Sequence, residues 1–542
     1  MGTNGVKELP QIAVEYVDDV IRKMRWRRRV REDVRQELMD HFADALNHMS
    51  GEAEREKEAQ KLISEFGDAA MLGKLMRRAK KRCRPWWVKF MIRSCQVVGS
   101  FLLLIVLYSA WFLSGKPVIS TDYVSKYNQY SRPEINIDES QNGLELYTKA
   151  TDSYVDLSEI VDGKKFNTRK MQDYSAISQE DEIVIREWIE ANQKSIDYFE
   201  AGSLKPYFYR EYTSETGEVV TMLVPHLSEW RSLTRVILWR AYFAASDGDF
   251  KSAFDDLLVS YRASKHRYSR KTLIEQLVGL ACLKYSNMTL LNIVNDFDVP
   301  QDDLVYIKDE LSKIKERFDF MLDFEGEKYL ALDEVQRSIV ETPIGGHFYL
   351  KRARFSAYKA MYGELNSVSD NLKVLFAFPD KEKQFEVIDS FYDKMKNYSK
   401  TPPYMIDDLE SILRESSSQY FLLGNLSEPF ARCILTNYRT QADFDAANLI
   451  LALHVYKADK GVYPDSLTPL LCDGYIQEIP VNPFSGERLV YSREGDSFVL
   501  YSFGVDETDD GGKRLSLKDK SDCGSIWDDK GYDNVFWPLE EI

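Results

Sequence analysis

The N-terminal part of the chain carries apolar residues at helical spacing. One stripe recurs at every fourth position: Val34, Leu38, Phe42 and Leu46. A second stripe follows a short polar break: Ala59, Leu62, Ile63 and Phe66. Since charged residues occupy the remaining faces, each stripe predicts an amphipathic helix. Gly67 is expected to end the second helix and Ala69 to begin a third, so residues 10–82 should form a helical head.

Residues 95–113 read CQVVGSFLLLIVLYSAWFL, a run without any charged residue. As an α-helix this run would span about 28 Å, close to the hydrocarbon thickness of a bilayer. Trp86 and Trp87 precede it, and Tyr108 and Trp111 lie near its far end, where interfacial aromatic residues are found. The sequence therefore predicts one transmembrane helix within residues 83–115.

The charges that flank this run predict its orientation. Lys and Arg residues without any acid fill the N-terminal side between positions 77 and 93, and Lys89 and Arg93 lie closest to the run. The positive-inside rule places the N-terminus in the cytoplasm and everything after Gly115 outside, as in a bacterial inner-membrane protein with a periplasmic C-terminal region. The basic flank is expected to contact anionic lipid headgroups.

Residues 116–430 show long amphipathic helices and few strand signals. The clearest stretch runs from Trp230 to Ser264, where Gly248-Asp249 supplies a turn between two helices. This alternation is typical of tetratricopeptide-like repeats, but no strict period continues, so we expect an irregular helical array. Ile274 to Val294 is predicted as a further buried helix rather than a second span, because charged and polar residues interrupt it.

Several aromatic residues of this region stand among polar neighbours. They are Tyr207, Tyr209, Tyr212, Phe348 and Tyr349. Two interpretations stay open: rings packed on the surface of the array, or the lining of a groove that binds a ligand.

The pattern changes from about Ala431. A helix from Gln441 to Gly461 is predicted, and its inner face is expected to carry Phe444, Ala447, Leu451 and Val455. Short strands are predicted at Leu489–Tyr491 and Phe498–Tyr501. The stretch YSFGVDETDDGG then places four acidic residues in front of two glycines. It is a candidate metal site, a candidate solvated turn, or a candidate catalytic carboxylate pair, although no nucleophile or base lies nearby in the sequence.

Composition and charge separate the head from the rest of the chain. The 542 residues carry a formal net charge of −16, but residues 1–93 hold 21 Lys and Arg against 15 Asp and Glu. A hydrophobic content of 44% excludes wholesale disorder. Six cysteines do not make a disulfide framework in a chain of this length. Cys472 and Cys523 are either a pair in an oxidising compartment or two separate thiols.

The head also contains RWRRRVR, from Arg25 to Arg31, which has the positive charge that phosphate binding needs. Acidic residues follow at once, which favours pairing within the helix and predicts no nucleic-acid partner. His41 and His48 lie seven positions apart on the same helix, as a metal pair or, on the alternative interpretation, as solvated or capping histidines.

Two stretches resemble known families. ELMDHFADAL (Glu37 to Leu46) followed by SEFGDAAMLGKL (Ser64 to Leu75) resembles the HAAS domain, which heads many bacterial membrane proteins, some of them linked to sigma-factor control. The resemblance covers about 70 residues and implies a cytoplasmic interaction module rather than an enzyme.

The C-terminal stretch resembles the globular domain of G-type pseudopilins of type II secretion. The shared features are a long helix ending at Gly461, Tyr463-Pro464, Asn482-Pro483 and the acidic glycine loop. This resemblance covers roughly 100 residues and implies a calcium site. The matching positions are Ser502, Asp506, Asp509, Asp510 and Asp533. The chain departs from the family because more than 300 residues separate its apolar helix from this region, so filament assembly does not carry over.

The chemistry of the acidic loop agrees with calcium, which takes six to eight hard oxygen ligands. The loop is not an EF-hand, because Leu517 stands where the twelfth position requires Glu. Sequence motifs of nucleophile elbows, zinc proteases and phosphate-binding loops are absent, so no catalytic residue is assigned.

The sequence thus predicts a mainly α protein. The expected order is a cytoplasmic HAAS-like domain (1–82), a basic flank and transmembrane helix (83–115), an extracytoplasmic helical array (116–430) and a pseudopilin-like α+β domain (431–542). Three functions are carried forward. The first is an interaction scaffold or signalling protein linked to secretion or the envelope, with protein partners on one or both sides. The others are an external hydrolase with its site in the array, and a sigma-factor regulator acting through the head.

Overall fold

The computed structural model describes most of the chain. The described residues are 8–82, 86–134, 138–161, 174, 177–316, 318–349, 376, 379–406, 427–503, 508–513 and 533–539. They form a mainly helical protein with small antiparallel sheets. The chain divides into two units, residues 1–111 and residues 112–542, and each is described by itself.

The first unit is helical. Its elements are α1 (Gln11–Lys23), α2 (Arg28–Leu46), α3 (Glu52–Phe66), α4 (Ala69–Arg82) and α5 (Trp86–Phe112), whose last residue belongs to the second unit. The predicted stripe of α2, from Val34 to Leu46, is buried against α1, and Ala59 of α3 joins the same core. Gly67 ends α3 with φ of 77°, a left-handed conformation that favours glycine. The predicted helices of the head are therefore confirmed.

Helix α5 exposes its apolar surface. It is long and apolar enough to cross a membrane, and none of its most apolar 18-residue window is buried. The described residues contain one other helix that passes the same test of length and composition, Leu273–Asp296, and 67% of its window is buried.

The second unit begins with helices that surround one core. They are α6 (Tyr123–Ser131), α7 (Leu144–Asp152), α8 (Leu157–Val161), α9 (Gln179–Ala191), α10 (Gln193–Ser203), α11 (Leu227–Ser246), α12 (Phe250–Tyr268), α13 (Leu273–Asp296), α14 (Gln301–Lys315), α15 (Glu325–Ser338) and α16 (Lys381–Lys400). The turn between α11 and α12 lies where the sequence predicts it, with Gly248 at φ of 83°. Asp249 caps α12 by accepting a hydrogen bond from the Ser252 N–H.

Helix α13 is a core helix that carries a buried carboxylate. Glu275 is 3% exposed, and its oxygens accept hydrogen bonds from Arg267 and Arg270 of the neighbouring segment. Tyr212 and Thr272 donate to the same carboxylate at 2.5 and 2.7 Å. The burial of α13 agrees with the prediction for Ile274 to Val294.

A hairpin that the sequence does not predict follows α15. Strand β1 (Ile339–Thr342) pairs antiparallel with β2 (Gly345–Phe348), with Ile339 opposite Phe348. The four-residue strands are too short for an alternating pattern to stand out, and two glycines occupy the second strand.

The C-terminal region is organised by α17 (Ser427–Lys460), which begins 14 positions before the predicted Gln441. The predicted face that includes Phe444 and Leu451 packs into the core of the array. Another face, which includes Leu449 and Leu453, packs on the C-terminal sheet. One helix therefore serves two cores, and it runs across the predicted boundary at residue 431.

After α17 come α18 (Thr468–Cys472) and a three-stranded antiparallel sheet of β3 (Val490–Glu494), β4 (Ser497–Ser502) and β5 (Asn534–Trp537), in that order. Gly461 ends α17 with φ of 82°. The two predicted strands are confirmed with shifted ends, and β5 is an addition from the closing segment. Cys472 is exposed, and Cys523 lies outside the described residues.

The contact between α12 and α13 generates a prediction about packing. A Cβ atom added at Gly279 would lie 2.5 Å from the Tyr268 N and 2.8 Å from the Ser264 O, both backbone atoms that cannot turn away. Gly279→Ala should therefore lower the free energy of unfolding by about 1–3 kcal/mol, measured by chemical denaturation. Gly99→Ala is the matched control, because no atom lies within 4 Å of its added Cβ. Equal stability of the two variants would contradict the close packing.

Candidate functional site

The acidic loop lies at the end of the C-terminal sheet. Ser502 is the last residue of β4, and it pairs with Asn534, the first residue of β5. This register places Asp533, which directly precedes β5, beside the end of β4. Residues 508–513 of the loop return to the same place, because the Asp533 N–H donates to the Lys513 O at 2.8 Å.

The glycines of the loop allow its backbone to turn towards the carboxylates. Gly511 and Gly512 both have φ of 73°. The Gly512 N–H donates to Asp533 Oδ2 at 2.8 Å. Asp509 Oδ1 accepts from the Gly511 N–H and from the Tyr501 hydroxyl, each at 2.9 Å. The loop is therefore tied to both β4 and β5.

Within the part of the chain that the structure describes, three oxygens of the site have no hydrogen-bond partner. They are Ser502 Oγ, Asp510 Oδ2 and Asp533 Oδ1. Ser502 and Asp533 are each only 1% exposed. Buried oxygens without donors lose their hydration and gain nothing in return, so such groups require an explanation. A cation that accepts their lone pairs would provide one.

The electrostatics of the site also favour a bound cation. Burial raises the pKa of Asp533, and the neighbouring Asp509 and Asp510 raise it further. Burial and the hydrogen bond to Asp509 raise the pKa of Tyr501 to about 12. Carboxylates crowded together in a buried place disfavour ionisation unless a positive charge is added.

The oxygens of the site are of the types that calcium binds, which are carboxylate and hydroxyl oxygens in flexible geometry. Ser502, Asp509, Asp510 and Asp533 are brought together at one end of the sheet, whereas Asp506 lies outside the described residues. Among residues with a described position, no group of three or more His, Cys, Asp and Glu side chains is arranged to hold a metal ion.

Sequence reasoning missed the residues that support the loop. The amides of Asn482 and Asn534 both approach the Phe503 O, at 3.4 Å each. The Asn482-Pro483 motif was visible in the sequence as part of the pseudopilin resemblance. Tyr501 was visible only as a strand residue, and its bond to Asp509 depends on the turn that follows β4.

The predicted membrane-interface residues all lie on α5. Trp86, Trp87, Lys89 and Arg93 are exposed in its N-terminal half. Tyr108 and Trp111 are partly exposed near its other end, with ring centroids 5.4 Å apart. The aromatic residues are thus separated along the helix axis, as two interfaces of a bilayer would require.

Comparisons of the chain with protein-family models, with curated proteins and with solved structures find no match.

The orphaned oxygens generate a prediction about metal binding. At a calcium concentration about 100 times the dissociation constant, binding should add about 2.7 kcal/mol to the free energy of unfolding. Asp533→Asn should remove that gain, because the amide keeps an acceptor for the Gly512 N–H but lacks the negative charge. The measurement is thermal unfolding of the full chain in detergent micelles, with and without calcium.

Asp473→Asn is the matched control for this test, since Asp473 is exposed on the loop after α18. It should keep the response to calcium. Equal responses of the Asp533 and Asp473 variants would contradict the site.

Proposed function

We propose that this chain is a single-pass inner-membrane protein that acts through protein interactions. In this proposal the head of residues 1–82 lies in the cytoplasm, and residues after 115 lie outside. The observation that carries it is the exposed apolar surface of α5, where Val97, Phe101 and Leu104 are each 63–68% exposed. Exposure of such a surface to water is unfavourable, whereas contact with the hydrocarbon of lipids removes that cost.

The burial of the second apolar helix, α13, supports a single membrane span. Most of α13 is covered by other helices of its unit, and Glu275 forms buried ion pairs with Arg267 and Arg270. These contacts serve the core of a water-soluble unit, whereas an ionised carboxylate in lipid is costly.

The ion pairs of the buried acids in the array support an interaction role outside the membrane. Asp256, Glu275 and Asp333 are each at most 5% exposed. Each forms an ion pair with an arginine: Asp256 with Arg240, Glu275 with Arg267 and Asp333 with Arg337. The hydrolase alternative requires a convergent cluster of acids in a deep pocket, whereas these acids are dispersed and engaged in holding helices together.

The C-terminal region adds the link to secretion or envelope function. Its sheet packs on α17 as one layer, and the orphaned oxygens at its edge suit calcium. Calcium is abundant outside the cytoplasm, and there the site would stabilise the loop of a pseudopilin-like region that other envelope proteins contact.

A second candidate is control of a sigma factor by the head, and one observation favours it. Met71 and Leu75 of α4 lie one turn apart and are 64% and 49% exposed. An apolar pair at this spacing on a cytoplasmic helix offers a docking surface to a partner helix.

The membrane topology can be tested with a reporter enzyme that is active only outside the cytoplasm. Fused after Ile542, it should be active, and fused after Arg82, it should be inactive. The reason is that the basic residues before α5 hold their end of the helix on the cytoplasmic side. The reverse pattern of activities would overturn the proposed orientation.

The interaction role predicts partners in native membranes. Crosslinking of the full chain, followed by affinity purification and mass spectrometry, should recover envelope or secretion proteins linked to residues 116–542. A sigma factor linked to residues 1–93 would favour the second candidate. Recovery of the chain alone would contradict both, and Met71→Ser with Leu75→Ser is the control variant for contacts of the head.

A further inference from the structure

A small cavity lies in the array beside the N-terminus of α11. Its volume is about 20 Å³, which is room for little more than a single small group. The walls combine charged and apolar side chains. Arg210, Arg267, Arg270 and Glu275 supply the charges. Tyr147, Phe208, Leu223 and Trp230 are among the apolar and aromatic residues.

The charges of the cavity do not balance. Glu275 is the single acid among the described lining residues, and both Arg267 and Arg270 donate to its Oε1, at 3.0 and 3.3 Å. Both arginines are 3% exposed. The two buried guanidiniums therefore exceed the one buried carboxylate by a positive charge, and Arg210 adds another at a less buried position. An uncompensated buried charge is costly unless an opposite charge joins it.

Two buried donors of the cavity wall have no acceptor. Within the described part of the chain, neither Arg267 Nε nor Trp230 Nε1 has a hydrogen-bond partner. Trp230 is 1% exposed, and the guanidinium of Arg267 lies over its ring at 4.6 Å. Both orphaned groups are donors, so the missing group must be an acceptor.

The backbone beside the cavity favours an anion as well. Helix α11 begins after His226, whose side chain makes no capping hydrogen bond to the helix. Pro225, His226 and Trp230 line the cavity, so the positive end of the α11 dipole lies beside it, and the His226 side chain does not cap the helix. His226 has φ of 63°, a strained conformation for a residue with a side chain. Such strain persists where the surroundings hold it and is concentrated at functional sites.

His266, which pairs with the cavity-lining Tyr147, does not add to the positive charge of the cavity. Burial lowers the pKa of His266 to about 4, so it is neutral at physiological pH. Its Nδ1 pairs with the Tyr147 hydroxyl at 2.8 Å. The positive charge of the cavity belongs to the arginines, which do not lose their protons in this pH range.

We propose that this cavity binds the carboxylate of an organic ligand, either a small acid or the C-terminus of a peptide. A single negative charge matches the surplus of the two buried arginines. Glu275 would repel the second charge of a phosphate, and a guanidinium matches the planar geometry of a carboxylate. Phe208, Leu223 and Trp230 offer an apolar wall to the carbon skeleton behind the carboxylate.

This proposal rests on the array alone and stands independently of calcium, of the topology and of the interaction partners. It assigns a ligand of defined chemistry to the helical array, where the sequence left open whether the aromatic residues line a ligand-binding groove. Tyr209 and Tyr212, two of the rings noted there, are 5% and 4% exposed. They are buried beside Arg270, whose guanidinium lies 4.7 Å from the ring centre of Tyr212.

The test is calorimetric titration of the full chain in detergent micelles with two matched pairs of probes. One pair is N-acetylphenylalanine and its neutral amide, and the other is a short peptide with a free or an amidated C-terminus. The carboxylate of at least one pair should bind at least about tenfold more tightly than its amide, because charged hydrogen bonds are lost with the amide. The tighter carboxylate identifies the source of the ligand, and inorganic phosphate should not compete.

Variants separate the proposed site from general effects on folding. Arg267→Met should weaken carboxylate binding about tenfold or more. Trp230→Phe should weaken it several-fold, because the Phe ring keeps part of the packing but lacks the N–H that has no partner among the described residues of the free protein. The smaller ring should also lower the melting temperature, so affinity is compared on the folded variant. Arg240→Met is the matched control, since Arg240 pairs with Asp256 outside the cavity and its loss should leave the affinity unchanged.

The proposal is overturned if acid and amide bind alike or not at all, or if phosphate displaces the carboxylate. It is also overturned if Trp230→Phe, folded by circular dichroism, keeps full affinity. This variant decides the question even if the Arg267 variant does not fold.

Discussion

The carboxylate of Glu275 is the contact on which the array depends most. It lies on α13 and accepts bonds from Arg267 of α12, from Arg270 in the connection that follows and from the Tyr212 hydroxyl of the segment before α11. The arginines extend the link, because Arg270 Nη2 donates to the Arg210 O at 2.6 Å and Arg267 Nη2 to the Pro225 O at 3.4 Å. Segments distant in the chain are thereby held by one buried charge cluster. Loss of Glu275 would leave two buried guanidinium groups without their shared carboxylate.

The second organising feature is α17, whose faces belong to two cores. Phe444 and Leu451 complete the array, while Leu449 and Leu453 support the C-terminal sheet. A helix in this position removes the distinction between a helical array and an appended domain. The amphipathic pattern of this stretch predicts one buried face. The helix buries more of its circumference than that, because it packs against two cores.

The sequence predicted the elements that local chemistry determines. Helical spacing predicts the stripe from Val34 to Leu46, and glycines predict the turn at Gly248 and the helix end at Gly461. The structure confirms all three. Strand β5 could not be found in the same way, because Asn534–Trp537 is short and its pairing with β4 bridges a long loop. The register that places Asp533 beside Ser502 comes from this pairing. The family resemblance named both residues, but the spacing alone did not relate them.

Charged residues were the least predictable part. Arg267 lies in the last turn of α12 and Arg270 follows that helix, so both would be expected at a surface, yet both are buried. Their burial depends on Glu275, on the aromatic rings around them and on the turn at His226. No helical or strand periodicity in the sequence predicts that these groups meet. The cavity beside α11 is therefore a tertiary property.

The sharing of α17 also bears on how this protein can change over evolutionary time. A module joined by a linker can be exchanged, lost or duplicated without damage to its neighbour. Here a cut before α17 would remove a core helix from the array, and a cut after it would deprive the sheet of its support. The two parts must therefore be inherited together, and a substitution on one face of the helix is constrained by the partner on the other.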